Sequence, residues 1–149
     1  MIHMLGSLSS ILAKGEAHGG IDPNEARLAP DMLPLKAQVT IASDTAKGAG
    51  ARLAGVEIPK FEDTETTFAE LKARVAKTVD FLKSLDKKAF EGAGERQIVL
   101  KFPKNTFEFT GVDYANKFVL PNVYFHITAA YAILRNRGVA LGKSDYLGG

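Results

Sequence analysis

One stretch, Gly111 to Gly138, limits what this chain can fold into. It is the longest apolar run of the sequence and carries three of its four tyrosines and the only histidine far from the N-terminus, His126. Asp113 suits a helix start and Gly138 a C′ position, with Arg135 and Arg137 placed to meet the negative end of the helix dipole. The stretch therefore predicts a central helix that the other elements wrap. Pro121 lies inside it, where it removes a backbone donor and crowds the preceding turn, so a kink or a locally opened turn is expected. Interior proline costs about 3 kcal/mol in an exposed helix, which argues that the fold uses the bend.

Around that helix the chain reads as one domain over residues 1–149. Leu5, Leu8, Ile11 and Leu12 mark a first helix from about Ile2 to Ala17, ended by Gly19-Gly20, with His18 suited to its C-terminal dipole. It opens without a capping residue, which suggests a lost or reassigned beginning. Asp31 or Leu33 is a candidate cap for a second helix, and Pro34 suits its first turn. That helix runs from about Leu35 to Leu53, with a stripe of seven-residue period through Leu35, Val39, Ala42, Ala46, Ala49 and Leu53. Gly48 and Gly50 fit close helix packing. Thr67 and Glu70 match a capping box for a third helix with Phe68, Leu71, Val75 and Leu82 inward. Lys72, Arg74, Lys77 and Lys83 are read as its solvated face. Residues 96–102 and 106–110 alternate in polarity around Pro103-Lys104-Asn105 and predict a β-hairpin that must lean on the helices. The residues after Gly138 read as a short docked tail.

Charge and cysteine content exclude several functions. Nineteen basic residues against 17 acidic ones leave a net charge of +2, with the signs interspersed and no basic stripe for nucleic acid. Cysteine is absent, which removes disulfides, thiolate nucleophiles and thiolate metal sites and favours a cytoplasmic setting. No apolar run reaches the roughly 18 residues of a membrane-spanning helix. Ser7, Ser9, Ser10 and Ser43 lie on predicted helices without a nucleophile elbow, and no phosphate-binding glycine loop is present.

His126 is the group whose chemistry needs an explanation. At about 100° per residue Phe118, Asn122, Phe125, Ala129 and Ala132 share one face, with His126 at its margin. Asn122 lies four residues before His126 and is its stacked neighbour. The bland reading is a buried histidine hydrogen-bonded to Asn122, or to a Gln or Thr on a facing helix. The sharper reading is a metal ligand, but one histidine is too few for a catalytic zinc, which takes three protein ligands. Gln38 is a weak third group. Asp44 falls on the outer face by the same arithmetic and Asp31 in the preceding turn. Tyr124 and Tyr131, seven apart, share another face, as packing or as a pocket wall.

Arg27-Leu-Ala-Pro-Asp-Met32, Ala42-Ser-Asp44, Arg52-Leu-Ala-Gly55, Glu62-Asp-Thr-Glu-Thr-Thr67 and above all Leu120-Pro-Asn-Val-Tyr-Phe-His126 with Ala130-Tyr-Ala-Ile-Leu-Arg135 resemble a bacterial family of unknown function. That family is similar to the DinB-like (DinB/YfiT) four-helix bundles. The resemblance covers nearly the whole chain and implies an all-α four-helix bundle with a short β-hairpin between helices three and four. In the wider superfamily three histidines hold a divalent metal, one from helix two and a pair four apart on helix four. Here His126 matches the second of that pair, while Asn122 and Gln38 stand where the other two would fall. The family also has several residues before Ile2, which implies a shortened first helix.

Two functions follow as expectations. One is a metal-free bundle, without cofactor, binding a small molecule or a partner in a pocket of His126, Asn122, Gln38 and Tyr124. The other is a metal-dependent hydrolase or transferase, with His126 holding zinc, nickel or iron and water completing the site. Alanine-rich faces and Tyr124 and Tyr131 also suit a homodimer. Neither nucleic acid nor membrane is expected as a partner.

Overall fold

The structure, a computed structural model, describes all 149 residues. Four long helical segments form the bundle: α1 (Ile2–His18), α2 (Leu35–Ala54), α3 (Phe68–Ser84) and a composite fourth helix. That fourth helix begins with a single turn, α4 (Gly111–Asp113), widens into a π-helical stretch over Tyr114–Val119 and continues as α5 (Leu120–Asn136). Both α1 and α2 pack against α3 and α5, so the connection from His18 to Leu35 passes diagonally across the bundle. A short helix, α6 (Lys143–Leu147), docks on α1, where Lys14 pairs with Asp145 and the His3 imidazole meets the Leu147 carbonyl.

The predicted stripes supply the core. Leu5, Leu8, Ile11 and Leu12 of α1 meet Leu35, Val39, Ala42, Ala46 and Ala49 of α2 and Leu71 and Val75 of α3 in one cluster. Val123, Ile127, Ala130, Ile133 and Leu134 of α5 complete it. Small side chains let the helices close in. A Cβ on Gly15 would fall 2.9 Å from both Leu134 Cδ2 and Phe68 Cε1, and one on Gly50 would overlap Leu82.

Helix ends follow the capping chemistry with two changes. The Thr67–Glu70 box is formed in both directions at the start of α3. Neither Asp31 nor Leu33 caps α2; Pro34 occupies the N-cap, its missing N–H matching a position that needs none. Asp113 does not cap the fourth helix either. Thr110 does, accepting from the Asp113 backbone N–H at 3.2 Å.

Two antiparallel strands, β1 (Gln97–Lys101) and β2 (Thr106–Thr110), form the predicted hairpin, Ile98 facing Phe109 and Leu100 facing Phe107. Ile98 and Leu100 are buried, and Phe109 packs with Tyr114 and Phe118 of the π-helical stretch. The Arg96 guanidinium donates to the Leu53 carbonyl and ties the hairpin to the end of α2. A 3-10 turn at Lys87–Phe90, absent from the sequence reading, bridges α3 to this hairpin, with Asp86 accepting from Lys88 N–H.

The expected irregularity at Pro121 takes the form of the wide turn just before it. Pro121 itself follows directly at the head of α5, so its missing N–H falls where the hydrogen-bond register changes, just after the Leu120 N–H has closed the wide turn on the Ala115 carbonyl. Tyr114, fully buried, receives a hydrogen bond from Arg52 Nη1 on its hydroxyl at 3.0 Å and so anchors the π-helical stretch to α2.

Candidate functional site

α2 and α5 lie side by side along the bundle, and their seam brings Gln38 and His126 together from 88 positions apart. Gln38 Oε1 lies 2.7 Å from His126 Nδ1. The amide nitrogen of Gln38 donates in turn to the Leu33 carbonyl at 3.0 Å. Gln38 reaches this position because it is one residue before Val39 on the stripe of α2, at its buried edge. His126 precedes the core residue Ile127, and both are buried. Burial is the sole influence that shifts the imidazole, and it holds the pKa below the ordinary value near 6.5. Nε2 has no hydrogen-bond partner in the protein.

Asn122 and Tyr124 do not join this pair. The Asn122 side chain donates to the Phe118 carbonyl at 3.0 Å, one turn back beside the wide turn. Tyr124, 42% exposed, lines a surface groove of about 370 Å³ with Leu28, Met32, Pro121, Phe125 and Ala129. Phe125 is 57% exposed, so the face that runs from Phe118 to Ala132 borders the core instead of filling it. Its ring stands edge-on to the His126 imidazole at 5.2 Å between centroids, which sets the groove against the buried pair. Tyr131, by contrast, packs edge-on against Tyr146.

No group of three His, Cys, Asp or Glu side chains is placed to hold a metal ion. The donors that meet at the α2–α5 seam are one imidazole and one amide oxygen. Zinc sites use three or four His, Cys or carboxylate ligands, and an amide is a poor replacement for an imidazole. This donor set does not fit the three-histidine centre of the superfamily.

A second polar cluster lies on the opposite side of α2. Arg74 is buried, contrary to its reading as part of a solvated face, because it sits with Leu71, Val75 and Thr78 on the inward stripe of α3. Its Nη2 meets Asp44 and Asp63 as ion pairs at 2.9 Å, and Nη1 donates to Glu65 Oε1 at 2.9 Å and to the Glu62 carbonyl at 3.1 Å. Asp44 is thus half-buried against α3 rather than on an outer face. Desolvation pushes the Arg74 pKa down, but the Glu65, Asp44 and Asp63 carboxylates outweigh it and the net shift is upward. Phe61 lies between Lys47 and Lys77, whose ammonium groups stand 4.1 and 4.2 Å from its ring centroid. These contacts hold the α2–α3 connection down on the bundle.

The model of the family described as Domain of unknown function (DUF1993) matches residues 1–147. The chain belongs to the DUF1993 family. Among solved structures, this DUF1993 chain is similar to a DinB family member protein from Shewanella denitrificans, with 41% identity and a TM-score of 0.89. That match covers 99% of this chain and 87% of the other. The DUF1993 fold is therefore the DinB-like helical bundle that the sequence implied. No curated protein matches the chain. No helix of the DUF1993 chain is long and apolar enough to cross a membrane.

Proposed function

We propose that this DUF1993 protein is a binding bundle that takes one small, largely apolar molecule in the groove beside the His126–Gln38 pair, without a three-histidine metal centre. The observation that carries this reading is the exposure of Tyr124 and Phe125, two aromatic side chains on the helix that bears His126. Leaving a large apolar side chain in water forgoes roughly 1.5–3 kcal/mol. Leu28 and Met32, from the connection before α2, face them across the groove. Its volume of about 370 Å³ lies within the range of small-molecule sites. Of the four residues expected around the ligand, Tyr124 would touch it, His126 and Gln38 would back it, and Asn122 would hold the adjoining wide turn.

Titration of phenol into the full chain, followed through the aromatic and methyl NMR signals, tests this reading. Shifts confined to Tyr124, Phe125, Leu28 and Met32 are expected, with binding weakened in Phe125→Ala. Light scattering separates the alternative occupant: a dimer abolished by Phe125→Ser would assign the groove to a second copy of the chain. The metal-dependent hydrolase or transferase reading is tested on protein made without a histidine tag. Stoichiometric zinc, nickel or iron that disappears in His126→Ala would replace the present proposal.

A further inference from the structure

We propose that the free edge of β1 is a self-association surface, on which a second copy of the chain adds its own β1 antiparallel about Val99. The proposal is independent of the groove beside the His126–Gln38 pair.

The hairpin is a sheet of two strands, so each strand has an open edge. Register decides which backbone groups lie on that edge. The Phe102 N–H donates to the Asn105 carbonyl at 2.8 Å, which makes these two a hydrogen-bonded pair. Bonded and non-bonded pairs alternate along an antiparallel ladder. Leu100–Phe107 and Ile98–Phe109 are therefore bonded, while Gln97, Val99 and Lys101 direct their N–H and C=O groups away from β2. No backbone group of a turn or loop pairs with these three residues. Their side chains are exposed as well, Val99 at 46%. Unmet donors and acceptors along an exposed strand form a template for another strand.

The sequence of β1 is complementary to itself. In a two-fold pairing about Val99, Gln97 meets the partner's Lys101 and Val99 meets the partner's Val99. Each outward N–H then finds an outward C=O. On the inner face the buried Ile98 and Leu100 meet the partner's Leu100 and Ile98, which carries the apolar row under the hairpin into the second sheet. A slip by one residue would set the outward groups against groups already bonded to β2, so the register is fixed. The same operation on β2 centres on Glu108 and places two carboxylates directly opposite each other, which is destabilising. Self-pairing thus belongs to β1, and the two-fold closes it as a dimer.

Backbone amide exchange of the full chain, followed by NMR at increasing concentration, tests the register. The Gln97, Val99 and Lys101 amides should exchange freely in dilute protein and become protected toward about 1 mM, a range suited to an interface this small. Ile98 and Leu100 should be protected throughout. Sedimentation over the same range should show monomer giving way to dimer. Val99→Lys should abolish the dimer by setting two ammonium groups at the two-fold, while Glu108, its neighbour on β2, balances the new charge within each chain. Phe125→Ser, in the groove, should leave the dimer intact. Free exchange of the three amides at the highest concentration, or a dimer that persists in Val99→Lys, overturns the proposal. Concentration-dependent protection at Thr106, Glu108 and Thr110 instead overturns it in favour of β2. A dimer lost in Phe125→Ser but kept in Val99→Lys overturns it and makes the groove the interface.

Discussion

Arg74 of α3 lies 2.9 Å from Asp44 of α2, and the same guanidinium nitrogen lies 2.9 Å from Asp63 on the connection between the two helices. Its side chain is 1% exposed, whereas the Asp44 and Asp63 side chains are 41% and 65% exposed. Arg74→Gln would leave Asp44 and Asp63 with access to water but the Glu65 side chain, 12% exposed, without its cation, which places the cost near the lower end of the 3–5 kcal/mol of a broken buried pair, at about 3 kcal/mol. Arg74→Lys should recover only part of it, since one ammonium cannot reproduce the planar fork that reaches Asp44, Asp63 and Glu65. Urea unfolding midpoints of the two variants check both statements.

His126 makes stability depend on mild acid. Its pKa is depressed in the folded state, so between that value and the unfolded value near 6.5 the unfolded chain binds more protons. Stability should be complete above about pH 6.5 and decline as the pH falls from there through the folded-state pKa. Melting temperatures measured from pH 7.5 to 5.5 should show this slope in the wild type. A Gln38→Leu/His126→Leu double variant should be flat across the same window.

At the start of α3 the sign is that of a carboxylate. The Thr66 and Thr67 backbone N–H groups hold the Glu70 carboxyl below its ordinary range. Its contribution is present above about pH 4.5 and lost as the pH falls through the lowered value. Thr67→Ala removes the other half of the box and should cost about 1 kcal/mol at neutral pH. Denaturant unfolding at pH 7 and pH 3 separates the two halves.

Gly111 marks the least forgiving backbone contact. A Cβ there would run into the Ala93 carbonyl and crowd Leu53, and backbone cannot swing aside as a side chain tip can. Gly111→Ala should therefore destabilise by about 1–3 kcal/mol despite alanine's better helix propensity. Gly6→Ala, with open space around its Cβ, is the matched control and should be neutral or stabilising in thermal melts.

Period and capping made most of the bundle legible. The stripe from Leu35 to Ala49 and the box at Thr67 are local signals, and the structure uses both. Gln38 was recognisable because it stood at the edge of a buried stripe, and a facing glutamine was among the partners His126 required. Arg74 was misread because charge outweighed position: its spacing from Leu71 and Thr78 already placed it inward, but its carboxylate partners come from residues 9 to 30 positions away. The groove was missed for a related reason. Leu28 and Met32 belong to a connection without periodicity, and only the diagonal path of that connection sets them beside Tyr124 and Phe125.

The wide turn also fixes a phase. Buried positions on the fourth helix step from Tyr114 to Val119, then to Val123 and Ile127, intervals of five, four and four. An unbroken α-helix would place the residue after Tyr114's turn about 100° out of step. The single extra residue lets the first part of the helix aim its aromatic rings at the hairpin while the second aims His126 at Gln38. Loss of one residue between Tyr114 and Val119 would leave every side chain chemically unchanged and still turn one half of the helix away from its partner. In this chain, the length of that segment is thus as much a part of the His126 site as any residue in it.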